Sequence, residues 1–145
     1  MTPEPPTTRS PADVVRSLHR ATADHDLDRI VAHFAADYVL DDPIRPDRSF
    51  RGAEQVRRNW AGILAGMPDL AVDERRLVAD GATVWTEIVL SGHRSDGSEQ
   101  VLRGVMIFHV EGGVIDSGTF YLAPVVRDSI DADAAVRTVI SGLRP

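Results

Sequence analysis

The stretch Asp26–Gly52, DLDRIVAHFAADYVLDDPIRPDRSFRG, decides how the rest of the chain is read. Leu27, Ile30, Val31 and Phe34 recur at helical spacing, so it opens as an amphipathic helix, with Asp26 as its cap and its end near Ala35. Tyr38–Asp42 then reads as a short strand that stops at Pro43. Successive strand side chains point to opposite faces, so only one of Asp41 and Asp42 can look inward. A carboxylate aimed into an apolar interior is costly unless paired or protonated, and that cost is how proteins raise a carboxylate's basicity. Asp42 is therefore the first candidate for chemistry, and Asp41 is expected at the surface. The competing reading makes Asp42 a turn residue before proline, where aspartate is common for local hydrogen bonding.

Outward from this stretch the pattern is helical on one side and extended on the other. Ser10-Pro11-Ala12-Asp13 is a helix start, and Val14, Val15, Leu18 and Ala21 continue it until a break near Asp24-His25. Ala53–Gly66 reads as a third helix with Val56, Trp60, Ile63 and Leu64 on its apolar side. After Pro68 four strands are expected, at about Leu70–Val78, Thr83–Ser91, Gln100–Val110 and Val114–Ala123. The hairpin dipeptides Asp80-Gly81, Asp96-Gly97 and Gly112-Gly113 separate them. A last helix is expected at about 129–141. Residues 1–10 form a Pro/Thr-rich tail expected to be disordered, and 11–145 a single domain. Helices followed by a meandering sheet make an α+β fold with the helices on one face of a curved sheet.

Composition narrows the function. The chain has 145 residues, 43% hydrophobic and 26% charged, the balance of a globular domain with a real core. A net charge of −6 offers no basic surplus to neutralise phosphates, so no nucleic-acid partner is expected. With no cysteine there is neither a thiol nucleophile nor a thiolate metal site, and the five histidines lack ligand spacing. No metal or cofactor is therefore expected. No apolar run approaches a membrane span, and the cytoplasm is the default location.

The order helix, helix, strand, helix, four strands resembles the nuclear transport factor 2 superfamily. DLDRIVAHFAADYVLDDP followed by FRGAEQVRRNW is similar to the ketosteroid isomerase signature. PDL, SGHRSDG and EGGVIDSGTFYLAP resemble the SnoaL-like branch, which includes polyketide cyclases. The resemblance spans about Pro11 to Pro124 and implies a cone: a curved antiparallel sheet wrapped around N-terminal helices, the cystatin-like α+β barrel, with a pocket inside. It places the isomerase's general base on Asp42 but its oxyanion tyrosine at Leu18, its protonated aspartic acid near Met106, and the cyclase's aspartate at Ala123. For the acid pair of limonene-type epoxide hydrolases only Glu87 is on offer. The scaffold hosts isomerases, cyclases, epoxide hydrolases and binding modules, so the family alone does not assign an activity.

Two-residue hairpins at Asp96-Gly97 and Gly112-Gly113 would place Glu87 opposite Met106, and Met106 opposite Thr119. The inner face would then carry Trp85, Glu87, Gly104, Met106, Phe108, Thr119, Tyr121 and Ala123, unless a β-bulge exchanged the faces. On this reading Asp42 moves a proton next to a carbonyl. Glu87 or Tyr121, or else Tyr38, stabilises the oxyanion. Leu18, Tyr38, Trp60, Trp85, Met106, Phe108 and Thr119 line the pocket for a small hydrophobic carbonyl or polyketide-like molecule. Glu87 on the outer face, paired to a basic neighbour, and the tyrosines as packing groups are the alternatives. His19 and His33 are read as solvated helix residues, the alternative being a place near the pocket mouth as acid/base partners of Asp42. A non-catalytic ligand-binding module and an epoxide hydrolase using Asp42 with Glu87 stay open. An outer sheet face bearing Val105 and Ile107 is expected to form a homodimer.

Overall fold

The computed structural model describes residues 9–127 and 130–142, and every statement below concerns those residues. Residues 1–8 of the expected tail and residue 129 of the expected last helix fall outside them. Helix α1 (Pro11–Ala23) begins as its sequence dictates: the Ser10 hydroxyl accepts from the Asp13 N–H at 3.1 Å, with Pro11 at the first helical position. It buries Val14, Val15, Leu18, His19, Ala21 and Thr22. His25 takes the left-handed conformation (φ +56°) and turns the chain into α2 (Leu27–Ala32), where the Asp26 carboxylate caps the Arg29 N–H.

Helix α2 is shorter than its periodicity suggests. His33 closes it by donating to the Ile30 carbonyl, and the His33 carbonyl then accepts from the Ile115 N–H at 2.8 Å. Phe34 is thereby drawn into strand β1 (Phe34–Asp41) instead of ending the helix. A short 3₁₀ turn (Pro46–Arg48) and strand β2 (Phe50–Arg51) lead into α3 (Ala53–Gly66). Strands β3 (Ala71–Asp80), β4 (Thr83–His93), β5 (Glu99–Glu111) and β6 (Val114–Pro124) follow, then α4 (Ala132–Ile140), capped by Asp131.

The sheet order is β2-β1-β6-β5-β4-β3. It is a curved, unclosed mixed sheet and not purely antiparallel, because β1 runs parallel to β6. A parallel pair needs a long crossover, which α3 and the four intervening strands β2–β5 supply. The fold is the cone-like α+β architecture expected from the sequence. Among the described residues no helix is long and apolar enough to cross a membrane.

Register departs from expectation at two places, and each moves side chains through the sheet. The β4–β5 loop is not a two-residue turn: Gly97 donates to the Arg94 carbonyl, and Arg94 donates to the Ser98 carbonyl, both at 2.9 Å. Gly97 sits at φ +84°, the left-handed position that follows a type I turn in a three-residue loop. The extra residue sets Glu87 opposite Val105 and Thr86 opposite Met106. The Gly112-Gly113 hairpin does have two residues, with Glu111 opposite Val114, but the pairing shifts just beyond it. Val110 faces Ile115 while His109 faces Ser117, so Asp116 is a bulge residue and Met106 meets Phe120.

A one-residue slip exchanges the two faces of a strand. Strand β5 keeps its expected inner side chains, Met106 and Phe108, whereas β4 and β6 are reversed. Val84, Thr86, Ile88 and Leu90 point inward from β4, and Gly118, Phe120 and Leu122 pair with the inward positions of β5. The core is knit by aromatic edges: Phe34 meets Tyr38 at 4.8 Å between ring centres, and Phe108 meets Phe120 at 5.8 Å. At Gly104 the backbones approach so closely that a Cβ would lie 1.9 Å from the Tyr121 carbonyl oxygen.

Candidate functional site

The interior of the cone narrows to a cavity of about 20 Å³, room for one water molecule. Leu18, Phe34, Trp60, Ile88, Met106, Phe108 and Phe120 make its apolar wall, with His19 and Thr22 as the polar contributors. Of the residues that line it, His19 alone titrates. It comes from the buried side of α1, one turn beyond Val15. Its Nε2 shares a 2.9 Å hydrogen bond with the hydroxyl of Thr86, a fully buried residue on β4. Burial lowers the imidazole's pKa from 6.5 to about 4, so His19 is neutral at physiological pH.

Glu74 approaches the same nitrogen, with Oε1 at 3.9 Å and Arg16 Nε at 3.9 Å from its other oxygen. Its partner across the sheet is the inward-facing Ile88, which puts this carboxylate on the helix side of β3. The register shift that follows, between Glu74 and Arg76, sends Arg76 to the opposite face. Glu74 and Thr86 both address Nε2, so the trio is not a relay through the two ring nitrogens. It is a neutral imidazole with a carboxylate close enough to stabilise its protonated form. Thr22 meanwhile donates to the Leu18 carbonyl at 2.9 Å and is satisfied within its own helix.

Asp42 is buried, at 6% exposure, but it does not line the cavity. Its Oδ1 accepts from the Arg45 N–H at 3.0 Å, Arg45 Nε lies 3.6 Å from Oδ2, and its own N–H donates to Ser49 Oγ at 3.0 Å. Arg45 in turn donates to the Leu122 carbonyl. Asp42 thus organises the Pro43–Ser49 loop against the end of β6, and Asp41 is exposed as expected. Tyr38 is 1% exposed, and its hydroxyl has no hydrogen-bond partner, a state in which burial raises its pKa. It points at Gly118, where an added Cβ would stand 2.5 Å from the phenol oxygen.

The register corrects five of the inward assignments, among them Ala123, which pairs with the outward Arg103. Glu87 lies on the outer face between Arg76 and Arg103, at 3.2 and 3.3 Å. Trp85 and Tyr121 are 50% and 45% exposed on that same side, and Thr119 pairs with the outward Ile107. Leu18, Trp60, Met106 and Phe108 are gathered around the cavity, while Asp42, Glu87 and Tyr121 do not converge. His19 and His33 are also corrected, since both are buried. His33 bonds the Arg29 carbonyl at 2.6 Å and Ser17 at 2.9 Å, and burial lowers its pKa. The signal for His19 was present: it extends the Val15 and Leu18 face of α1. Thr86 and Glu74 gave none, because their orientation depends on one loop residue and one bulge.

A model of the SnoaL-like domain matches residues 15–117, well over half of the chain. A search of curated proteins finds no match. Among solved structures, RV0760c from Mycobacterium tuberculosis in complex with estradiol-17β-hemisuccinate superposes with a TM-score of 0.67 at 22% identity, over 78% of this chain and 94% of that one. IdmH from Streptomyces antibioticus, a candidate polyketide cyclase, gives 0.68 at 21% identity over 80% and 92%. AclR from Streptomyces galilaeus, a candidate hydroxylase, gives 0.69 at 15% identity over 91% and 92%. At such identities these likenesses establish the fold and leave the activity to the site. On its own sequence, and with that fold, the chain belongs to the SnoaL-like family.

Proposed function

We propose that the cone takes up a compact apolar carbonyl compound, of the polyketide-like or steroid-like kind, and that His19 moves a proton on it in an isomerase- or cyclase-type reaction. The observation that carries this reading is the neutral imidazole of His19, held by Thr86 at the edge of an apolar cavity. A neutral imidazole can accept the proton next to a carbonyl and return it elsewhere on the same molecule. Glu74, 3.9 Å away, lowers the cost of the imidazolium formed in between. An apolar wall excludes water and strengthens each of these interactions. Solved relatives that bind a steroid ester or are candidate cyclases are in keeping with such a ligand.

This places the proton transfer on His19 instead of Asp42, whose carboxylate is engaged by the Arg45 loop. Epoxide opening by Asp42 with Glu87 would require both acids in the cavity, and Glu87 is on the other side of the sheet. The test is deuterium wash-in from heavy water into a panel of apolar ketones and enones, followed by NMR. Wild-type protein should catalyse exchange next to the carbonyl, and His19→Gln should lose most of it. An unimpaired His19→Gln variant would sink the mechanism, and Asp42→Asn in parallel shows whether that carboxylate shares the work.

One observation favours a second reading, a non-catalytic ligand-binding module. Asp42, Glu87 and Tyr121, the acid/base groups expected from the sequence, do not converge on the cavity, which leaves His19 as the one titratable residue among those that line it. Binding without exchange in the same panel would select it. The same proposal includes a homodimer through the outer face of the sheet, where Val78, Trp85 and Tyr121 are 65%, 50% and 45% exposed beside Val105 and Ile107.

A further inference from the structure

Helix α3 has fourteen residues but buries only Val56 fully, and its packing against other elements is concentrated on α2 and β1. Its second half carries Trp60, Ile63 and Leu64, all half-buried, over the cone. Trp60 faces the 20 Å³ cavity, together with Leu90 and Phe120. Ile63, with Gly66 and Met67, lines a surface groove of about 420 Å³ whose wall includes Leu102 and Gln100. Leu90 and Leu102 are paired across β4 and β5, so the cavity and the groove are lined by neighbouring side chains.

The same half-helix holds Gly62 and Gly66. A Cβ built on either meets nothing within 4 Å, so no close packing requires a glycine there, and neither has a positive φ. Glycine in a helix interior is nonetheless destabilising, by about 1 kcal/mol relative to alanine. Gly62 inside the helix, followed by Gly66 as its final residue, weakens the segment whose apolar side chains close the cone. We infer that the C-terminal half of α3, residues 60–66, is the door of the cone and that Trp60 is its plug. Swinging outward, it joins the cavity to the groove and makes a volume in the range that a compact apolar ligand needs. The inference rests on the ligand site of the proposed function, and it supplies what that site lacks when closed, a way in.

Two measurements test it, and neither depends on turnover. In the unmodified protein, backbone amides of residues 60–66 should exchange with heavy water at least about 100-fold faster than those of β5, by local opening. The double substitution Gly62→Ala/Gly66→Ala should slow them about tenfold or more. In Trp60→Ala the vacated plug site should bind indole, seen as a concentration-dependent rise in melting temperature absent from wild type. Exchange at 60–66 as slow as in β5, or unchanged by the double alanine, would overturn the door. A folded Trp60→Ala that ignores indole would overturn the plug. Unimpaired proton exchange in His19→Gln with these results intact would count against the functional reading alone, and lost exchange in His19→Gln with these results absent would count against the door alone.

Discussion

His19 Nε2 lies 2.9 Å from the Thr86 hydroxyl, and this one hydrogen bond ties the buried side of α1 to the inner face of β4. Both residues are almost completely enclosed, so each satisfies a polar group that water cannot reach. Thr86→Val, which keeps the shape and deletes the hydroxyl, should cost about 1–3 kcal/mol in urea unfolding at neutral pH. A neutral result would mean that His19 finds another partner.

Burial holds His19 at about 4, below its ordinary 6.5. Between these values the unfolded chain binds a proton that the folded one does not, so stability is at its full value above pH 6.5 and falls as the pH drops towards 4. The whole effect is on the order of 3 kcal/mol. His33 is lowered in the same direction and is common to both proteins compared. Urea midpoints should therefore fall more steeply with acid in wild type than in His19→Gln. Parallel curves would show that His19 does not titrate as a buried neutral group.

The Tyr38 phenol is buried without a partner, which makes its hydroxyl a cost to folding. Tyr38→Phe should leave the protein as stable or stabilise it by about 1 kcal/mol, as read by thermal or urea unfolding. A clear loss of stability would reveal a hydrogen bond that the structure does not contain.

The approach of β5 to β6 at Gly104 leaves no space for a side chain, since a Cβ would fall 1.9 Å from the Tyr121 oxygen. Gly104→Ala must push two paired backbones apart and should cost about 3 kcal/mol or more. Soluble, wild-type-like Gly104→Ala with an unchanged melting temperature would contradict this register.

On the outer face, Glu87→Gln should change stability by less than about 1 kcal/mol, because both arginines paired with it are largely solvated. It should leave proton exchange untouched, as should Tyr121→Phe. Trp85→Glu should convert the proposed dimer to a monomer in light scattering. A wild-type protein that is already monomeric would remove that proposal.

Much of the fold was legible because its determinants are local. Ser10-Pro11 starts α1, Asp26 caps α2, and the apolar spacing of Ala53–Gly66 specifies α3 to its observed ends. The helix and strand patterns carried the family as well. Phe34 was misassigned because its place depends on a bond between His33 and Ile115, 82 positions apart by their numbering. The inner faces of β4 and β6 were misassigned for a different reason. A strand's side-chain period is two, so one unpaired residue in a loop or bulge reverses everything beyond it.

By itself, then, the sequence left Asp42 open between a pocket role and a turn role, and it determined most of the helices and strands and the family. Those properties follow from spacing, capping and turn residues, whose influence reaches only a few positions along the chain. The tertiary structure alone decided which groups meet inside the cone. Gly97 in its three-residue loop and Asp116 in its bulge sent Glu87 and Tyr121 outward and brought Thr86 in to His19. Register is a property of two paired strands together, and no single segment contains it.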